Sequence, residues 1–250
     1  METRKIIQPE LVMVPHHELS YDESAIPDVS SFSVREIKGF TKQEAVNYAR
    51  ARGLQETGMS PNEIGLLYDL LEAKRPKYVV ELGRNFGCST RILLQYCVRY
   101  GAYMESWDLK HWGNVEETFK NQGFDVNRLQ HAAKEEFDYT LAIPGNPQNI
   151  AAIRVADSMK TNIGEVERFV DFLLIDTEHG LENALGEYMR WRPYLRSGSI
   201  IAFHDSELPA VARAIDLAIE VESDFNGRIL KRYKNERIEG FGLEALEWKG

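Results

Sequence analysis

The chain has 250 residues, 43% of them hydrophobic and 28% charged, enough to bury one core without disulfides or structural metal. Its formal net charge of −9 and an isoelectric point near 5.3 argue against a general polyanion binder and against docking on anionic lipid. No nucleic acid and no membrane are therefore expected as partners.

The opening stretch METRKIIQPELVMVPHHELS has no apolar signal core and no small-residue cleavage site, and residues 1–40 show no clear period. Two capping boxes follow, TKQE (41–44) and SPNE (60–63), with Thr41 and Ser60 as caps and Glu44 and Glu63 three residues on. Pro61 suits a first helical position, and the helix must stop before Pro76. From there short apolar runs read as strands: 77–82, 102–108, 151–156, 171–176 and 199–205. Helical patterns separate most of them, at roughly 88–100, 113–122, 181–195 and 208–222. This alternation predicts an α/β fold with a mostly parallel sheet covered on both faces. Cys88 and Cys97 are the only cysteines. On one helix they would sit about 13 Å apart, too far for a disulfide, so a reducing, cytoplasmic setting is expected. No apolar run approaches a membrane span; FLLI (172–175) is typical. Residues 123–150 exceed a usual connection and read as an insertion, part of a lid, with a helix-like piece VNRLQHAAKEEF and a turn-rich IPGNPQN. RILKRYK and GFGLEALEW close the chain as an antiparallel pair on a sheet edge.

Chemistry concentrates at the strand ends. ELGRNFGCST (81–90) runs from a strand into a helix, with Gly83 and Gly87 free to turn and Ser89 and Thr90 able to donate hydrogen bonds. In open α/β sheets, ligands sit beyond such carboxyl ends. Glu81 suits a ligand that carries positive charge better than a pyrophosphate. The spacing is also not G-x-G-x-x-G, since Asn85 takes the middle glycine position, which disfavours a nicotinamide dehydrogenase. The plain alternative is a βα turn that only needs flexible backbone. Asp108 ends the next strand, placed to accept from ribose hydroxyls or to cap a helix. Trp107, His111 and Trp112 beside it would stack on a base or fill the core. VADSM (155–159), LLIDTEHG (173–180) and IIAFHDS (200–206) complete five strand tips that all carry polar groups.

From about residue 59 onward the chain resembles the class I S-adenosylmethionine-dependent methyltransferases, most of all small-molecule O-methyltransferases with E-x-G-x-x-x-G-x-S and a later I-D-x-x-H … H-D pattern. Here these read ELGRNFGCS (81–89) and IDTEH (175–179) with HD (204–205). The resemblance implies a doubly wound, mostly parallel seven-stranded sheet with an antiparallel C-terminal edge hairpin. It divides the chain into a helical or irregular extension, 1–58, and an α/β domain, 59–250, carrying the 123–150 insertion. It implies that Glu81, Gly83, Gly87 and Ser89 hold the methionine end of S-adenosylmethionine, that Asp108 binds the ribose, and that Asp157, Ser158 and Met159 border the adenine. Asn85 departs from the commonest glycine-rich form.

The resemblance also implies methyl transfer to a hydroxyl of a small molecule, a sugar or natural-product intermediate, by a chain that a homo-oligomer would suit. Two devices would remove the acceptor proton. A divalent metal, Mg²⁺ or another that accepts a mixed nitrogen and oxygen set, would be held by Asp176, His204 and Asp205. Alternatively His179 or His204 would act as general base. Methylation of another atom, or a non-catalytic S-adenosylmethionine-binding protein, are the competing readings. His179 as a helix cap and the HD pair as support for a turn are the plain structural alternatives.

Overall fold

A computed structural model describes residues 9–14, 39–52, 58–85, 87–109, 115–130, 137–146, 148–160, 163, 169–226, 230–235 and 240–249. The strands are β1 (Glu10–Val14), β2 (Tyr78–Leu82), β3 (Tyr103–Asp108), β4 (Asp125–Gln130), β5 (Phe137–Ala142), β6 (Asn149–Val155), β7 (Val170–Ile175), β8 (Leu195–His204), β9 (Lys231–Asn235) and β10 (Leu243–Glu247). The helices are α1 (Lys42–Arg52), α2 (Pro61–Lys74), α3 (Cys88–Tyr100), α4 (Val115–Asn121), α5 (Leu181–Trp191) and α6 (Pro209–Asn226). No described helix is long and apolar enough to cross a membrane.

The strands form one sheet in the order β1-β9-β10-β8-β7-β2-β3-β6-β5-β4. Its centre is parallel: β8 to β7, β7 to β2, β2 to β3 and β3 to β6. Every residue of β2 is buried, as a strand covered on both faces requires. Alternate side chains feed two cores. Val79 and Met104 pack with α1 to α4 on one face, while Val80, Leu82 and Trp107 pack with α5 and α6 on the other. Trp107 is a core residue, edge-on to Trp191; His111 and Trp112 lie outside the described residues.

Three sequence expectations need correction. Among the described residues the sheet has ten strands, not seven. The β9–β10 hairpin forms antiparallel as expected but is not the edge, because β1 pairs with β9 in parallel. Residues 125–130 and 137–142 are strands that extend the sheet beyond β6, so the helix-like reading fails there. Pairing with β6 decides that segment: Tyr139 and Leu141 alternate into the core opposite Ile153 and Ala151, and a local helical pattern is outweighed by that burial.

Both capping boxes form. Ser60 accepts from the Glu63 N–H at 3.3 Å and its own N–H donates to the Glu63 carboxylate at 2.5 Å. Thr41 and Glu44 do the same at 3.2 and 2.6 Å.

The chain runs outward from β2 to β3 and β6, then returns to build β7 and β8 on the other side. The strand order therefore reverses between β2 and β7, where α/β sheets of this kind open a binding crevice.

Candidate active site

The reversal point is tightly built. Gly83 adopts φ 87° immediately after β2. A Cβ there would fall 1.9 Å from the Asp176 carbonyl oxygen, so only glycine lets the tips of β2 and β7 meet. The Asp176 N–H donates to the Leu82 carbonyl at 2.8 Å across the same junction. Gly87, at φ 78°, starts α3. Asp108 sits at the tip of β3 and accepts from the N–H groups of Arg84 and Asn85, at 2.7 and 2.9 Å. It thus fastens the glycine turn to the neighbouring strand.

Glu81 lies fully buried beneath this turn. Its Oε2 accepts from the hydroxyls of Thr90 and Ser106, at 2.6 and 2.5 Å. Its Oε1 is buried without a hydrogen-bond partner among the described residues. Burial pushes the carboxyl up to about 7, against the nearby hydroxyls of Ser106, Ser89 and Thr90 and the Arg84 guanidinium. Ser89 is therefore turned toward Glu81 and is itself buried.

At the tip of β6, Asp157 accepts from the Met159 N–H at 2.8 Å and pairs with Lys160 at 2.9 Å. Burial raises its pKa, but Lys160 and the Met159 N–H outweigh that and hold it below the usual carboxylate value. Ser158 donates to Glu187 of α5, whose other oxygen accepts from Thr177 beyond β7. Glu187 is buried, which raises its pKa against the hydrogen bonds of Ser158 and Thr177. It ties two strand tips from below.

The second cluster gathers Asp176, His179, His204 and Asp205 at the tips of β7 and β8. His204 Nδ1 lies 3.0 Å from an oxygen of each aspartate. Among the described residues its Nε2 has no hydrogen-bond partner, and it faces a carboxylate oxygen of Glu63 at 3.8 Å. Burial alone would lower the His204 pKa, but these carboxylates outweigh it and push it up to about 12. His179, 52% exposed, places Nε2 2.7 Å from Asp205 Oδ2. Ligand atoms of Asp176, His179 and Asp205 lie within 4.8 Å of one another, a spacing that one metal ion could bridge. Asp205 is buried and holds φ 56°, a left-handed conformation uncommon outside glycine.

The residues singled out at the strand tips thus fall along the carboxyl ends of the central strands, in two groups that touch where Gly83 meets Asp176. The metal-spaced set contains His179, while His204 stands behind the two carboxylates. Three residues escaped the sequence reading. Arg84 occupies an unremarkable position of the glycine turn. Glu187 looks like any acid on an amphipathic helix. Glu63 carried only its capping signal.

The model of a family described as a methyltransferase domain matches residues 80–206, just over half of the chain. Among solved structures, the S-adenosylhomocysteine-bound methyltransferase PaMTH1 of Podospora anserina is 14% identical, with a TM-score of 0.54 over 94% of this chain and 100% of that one. An O-methyltransferase from Bacillus cereus in complex with S-adenosylhomocysteine is 14% identical, with a TM-score of 0.49 over 82% and 90%. CalS11, a TDP-rhamnose 3'-O-methyltransferase, is 16% identical, with a TM-score of 0.49 over 75% and 77%. No curated protein matches the chain in sequence. The family match takes in the glycine turn, Asp108, Asp157 and the cluster from Asp176 to Asp205, and the chain belongs to this methyltransferase domain family.

Proposed function

We propose that the chain transfers a methyl group from S-adenosylmethionine to a hydroxyl of a small polar molecule. The observation that carries this reading is the junction of Gly83 with Asp176, which sets a donor-type turn directly beside a proton-handling cluster. The donor half fits a ligand with an ammonium and a ribose. Glu81 keeps a buried carboxylate oxygen unpartnered beneath the turn, and Asp108 stands at the next strand tip. PaMTH1 was solved with S-adenosylhomocysteine bound, which supports the same donor. Glu81, Gly83 and Gly87 would shape the methionine end, Asp108 would take the ribose, and the β6 tip at Asp157 and Ser158 would border the adenine. Ser89 and Ser158 would act indirectly, through Glu81 and Glu187.

S-adenosylmethionine brings an already activated methyl group, so the protein must align the acceptor and remove its proton. Asp176, Asp205 and His179 Nε2 offer the mixed oxygen and nitrogen set that would hold a divalent cation, which would lower the pKa of a bound hydroxyl. The 2.7 Å contact between His179 and Asp205 supports a second reading, in which the carboxylate orients His179 as a metal-free base. A small cavity beside the cluster, lined by Glu63, Ser206, Glu207, Lys234, Asn235, Gly242 and Leu243, has room for about one water molecule.

Calorimetry with S-adenosylhomocysteine tests the donor site: wild-type chain should bind it, and Asp108→Ala should bind at least tenfold more weakly. Unchanged affinity in a folded Asp108→Ala chain would refute the assignment. Titration with Mn²⁺ separates the two proton-removal readings. Binding that Asp176→Asn and Asp205→Asn abolish supports the cation. Absence of binding leaves the His179 base, whose removal should cost roughly 10²–10⁴ in rate.

A further inference from the structure

We infer that Arg84 is a positioning residue of the donor site, clamping the tips of β3 and β6 under the glycine turn so that Asp108 is preset toward the crevice. The inference rests on the S-adenosylmethionine reading above. Arg84 is only 2% exposed, and arginine is rarely buried unless its fork is used. Nη1 donates to the Ser106 carbonyl and hydroxyl oxygens in β3, at 2.9 and 3.1 Å, and Nη2 donates to the Arg154 carbonyl in β6 at 3.2 Å. One guanidinium thereby spans two neighbouring strands, a geometry that the single ammonium of lysine does not reproduce.

The same residue also holds β3 through its main chain, since its N–H and that of Asn85 both donate to Asp108 Oδ2. Side chain and backbone of Arg84 thus grip β3 at Ser106 and Asp108, on either side of Trp107. The turn needs such a grip. Asn85 holds φ 44°, a left-handed conformation that outside glycine persists only where the surroundings enforce it. The guanidinium also lies among the charges of Glu81 and Asp108 and offsets both in the floor of the crevice. A merely structural arginine would tie the strands together without touching the residue that meets the ligand. Arg84 does both.

Calorimetry with S-adenosylhomocysteine on wild type, Arg84→Lys, Asp108→Asn and the double variant tests this. Arg84→Lys should bind about tenfold more weakly, and the double variant no more weakly than Asp108→Asn alone, because the fork acts through that carboxylate. Wild-type affinity in Arg84→Lys, or losses that multiply in the double variant, would overturn the inference. Amide exchange on ligand-free wild type and Arg84→Lys reads the clamp without ligand. The main-chain amides at positions 84 and 85 should exchange at least tenfold faster in Arg84→Lys than in wild type, and equal protection would overturn the inference. A wild-type chain that binds no S-adenosylhomocysteine sinks the donor reading instead, and amide exchange then decides the clamp alone.

Discussion

Glu81, the penultimate residue of β2, is fully buried, and its carboxyl is pushed up to about 7 chiefly by burial. Its folded pKa exceeds its unfolded value of 4.5, so the neutral form is the one the fold prefers. The stability it contributes is fully present below about pH 4.5 and is lost as pH rises through 7. Glu81→Gln should therefore gain stability relative to wild type between pH 5 and 8, by up to about 3 kcal/mol, in urea titrations at each pH. Parallel pH profiles for the two chains would show that Glu81 is ionised throughout. Gly83 carries a sharper forecast. Gly83→Ala should cost at least about 3 kcal/mol, since the added Cβ meets the Asp176 backbone and the residue must hold positive φ; a cost under 1 kcal/mol would mean that the β2–β7 junction relaxes freely. At this scale the sequence displayed the acids and histidines of the strand tips, because they stand at the ends of apolar runs. It hid Arg84 and Glu187, whose importance lies in partners on other strands.

Among the elements, α2 was the most legible. Its capping box and Pro61 are local signals, read within four residues, and they form as expected. Ser60→Ala should cost about 1 kcal/mol, the usual worth of an N-cap, measured by thermal or urea unfolding. Glu63 does more than cap. Its carboxylate also accepts from the Gly242 N–H at 2.5 Å and stands 3.8 Å from His204 Nε2. Glu63→Ala would orphan the N–H groups of Ser60 and Gly242 and should cost about 3 kcal/mol, clearly more than Ser60→Ala; equal costs would show that the hairpin contact is immaterial. The β4–β5 segment was the least legible. VNRLQ has no strong strand signal of its own, and β4 exists because β5 offers it a partner with Val126 opposite Leu141.

In the molecule as a whole, β1 closes one end of the sheet, five strand spacings from β2 and thus about 24 Å away. The Glu10 N–H donates to the Leu230 carbonyl, and the two-residue period turns the Val12 N–H the same way. Val12→Pro should remove one bond of that ladder and lower the melting temperature by a few degrees. It should leave S-adenosylhomocysteine affinity within about twofold, because the proposed donor site lies across the sheet; a larger loss would place the N-terminal strand in contact with that site. The sequence by itself determined the alternation of buried strands and helices, the parallel centre and the row of polar strand tips, because these follow from short-range hydrophobic periods and turn chemistry. Only the tertiary structure decided the ten-strand order, the true edges, and the meeting of Glu63 with His204 and of Gly83 with Asp176. Those depend on which distant segments bury each other's surfaces, and a pairing between residues 63 and 204 leaves no mark in the local pattern at either end.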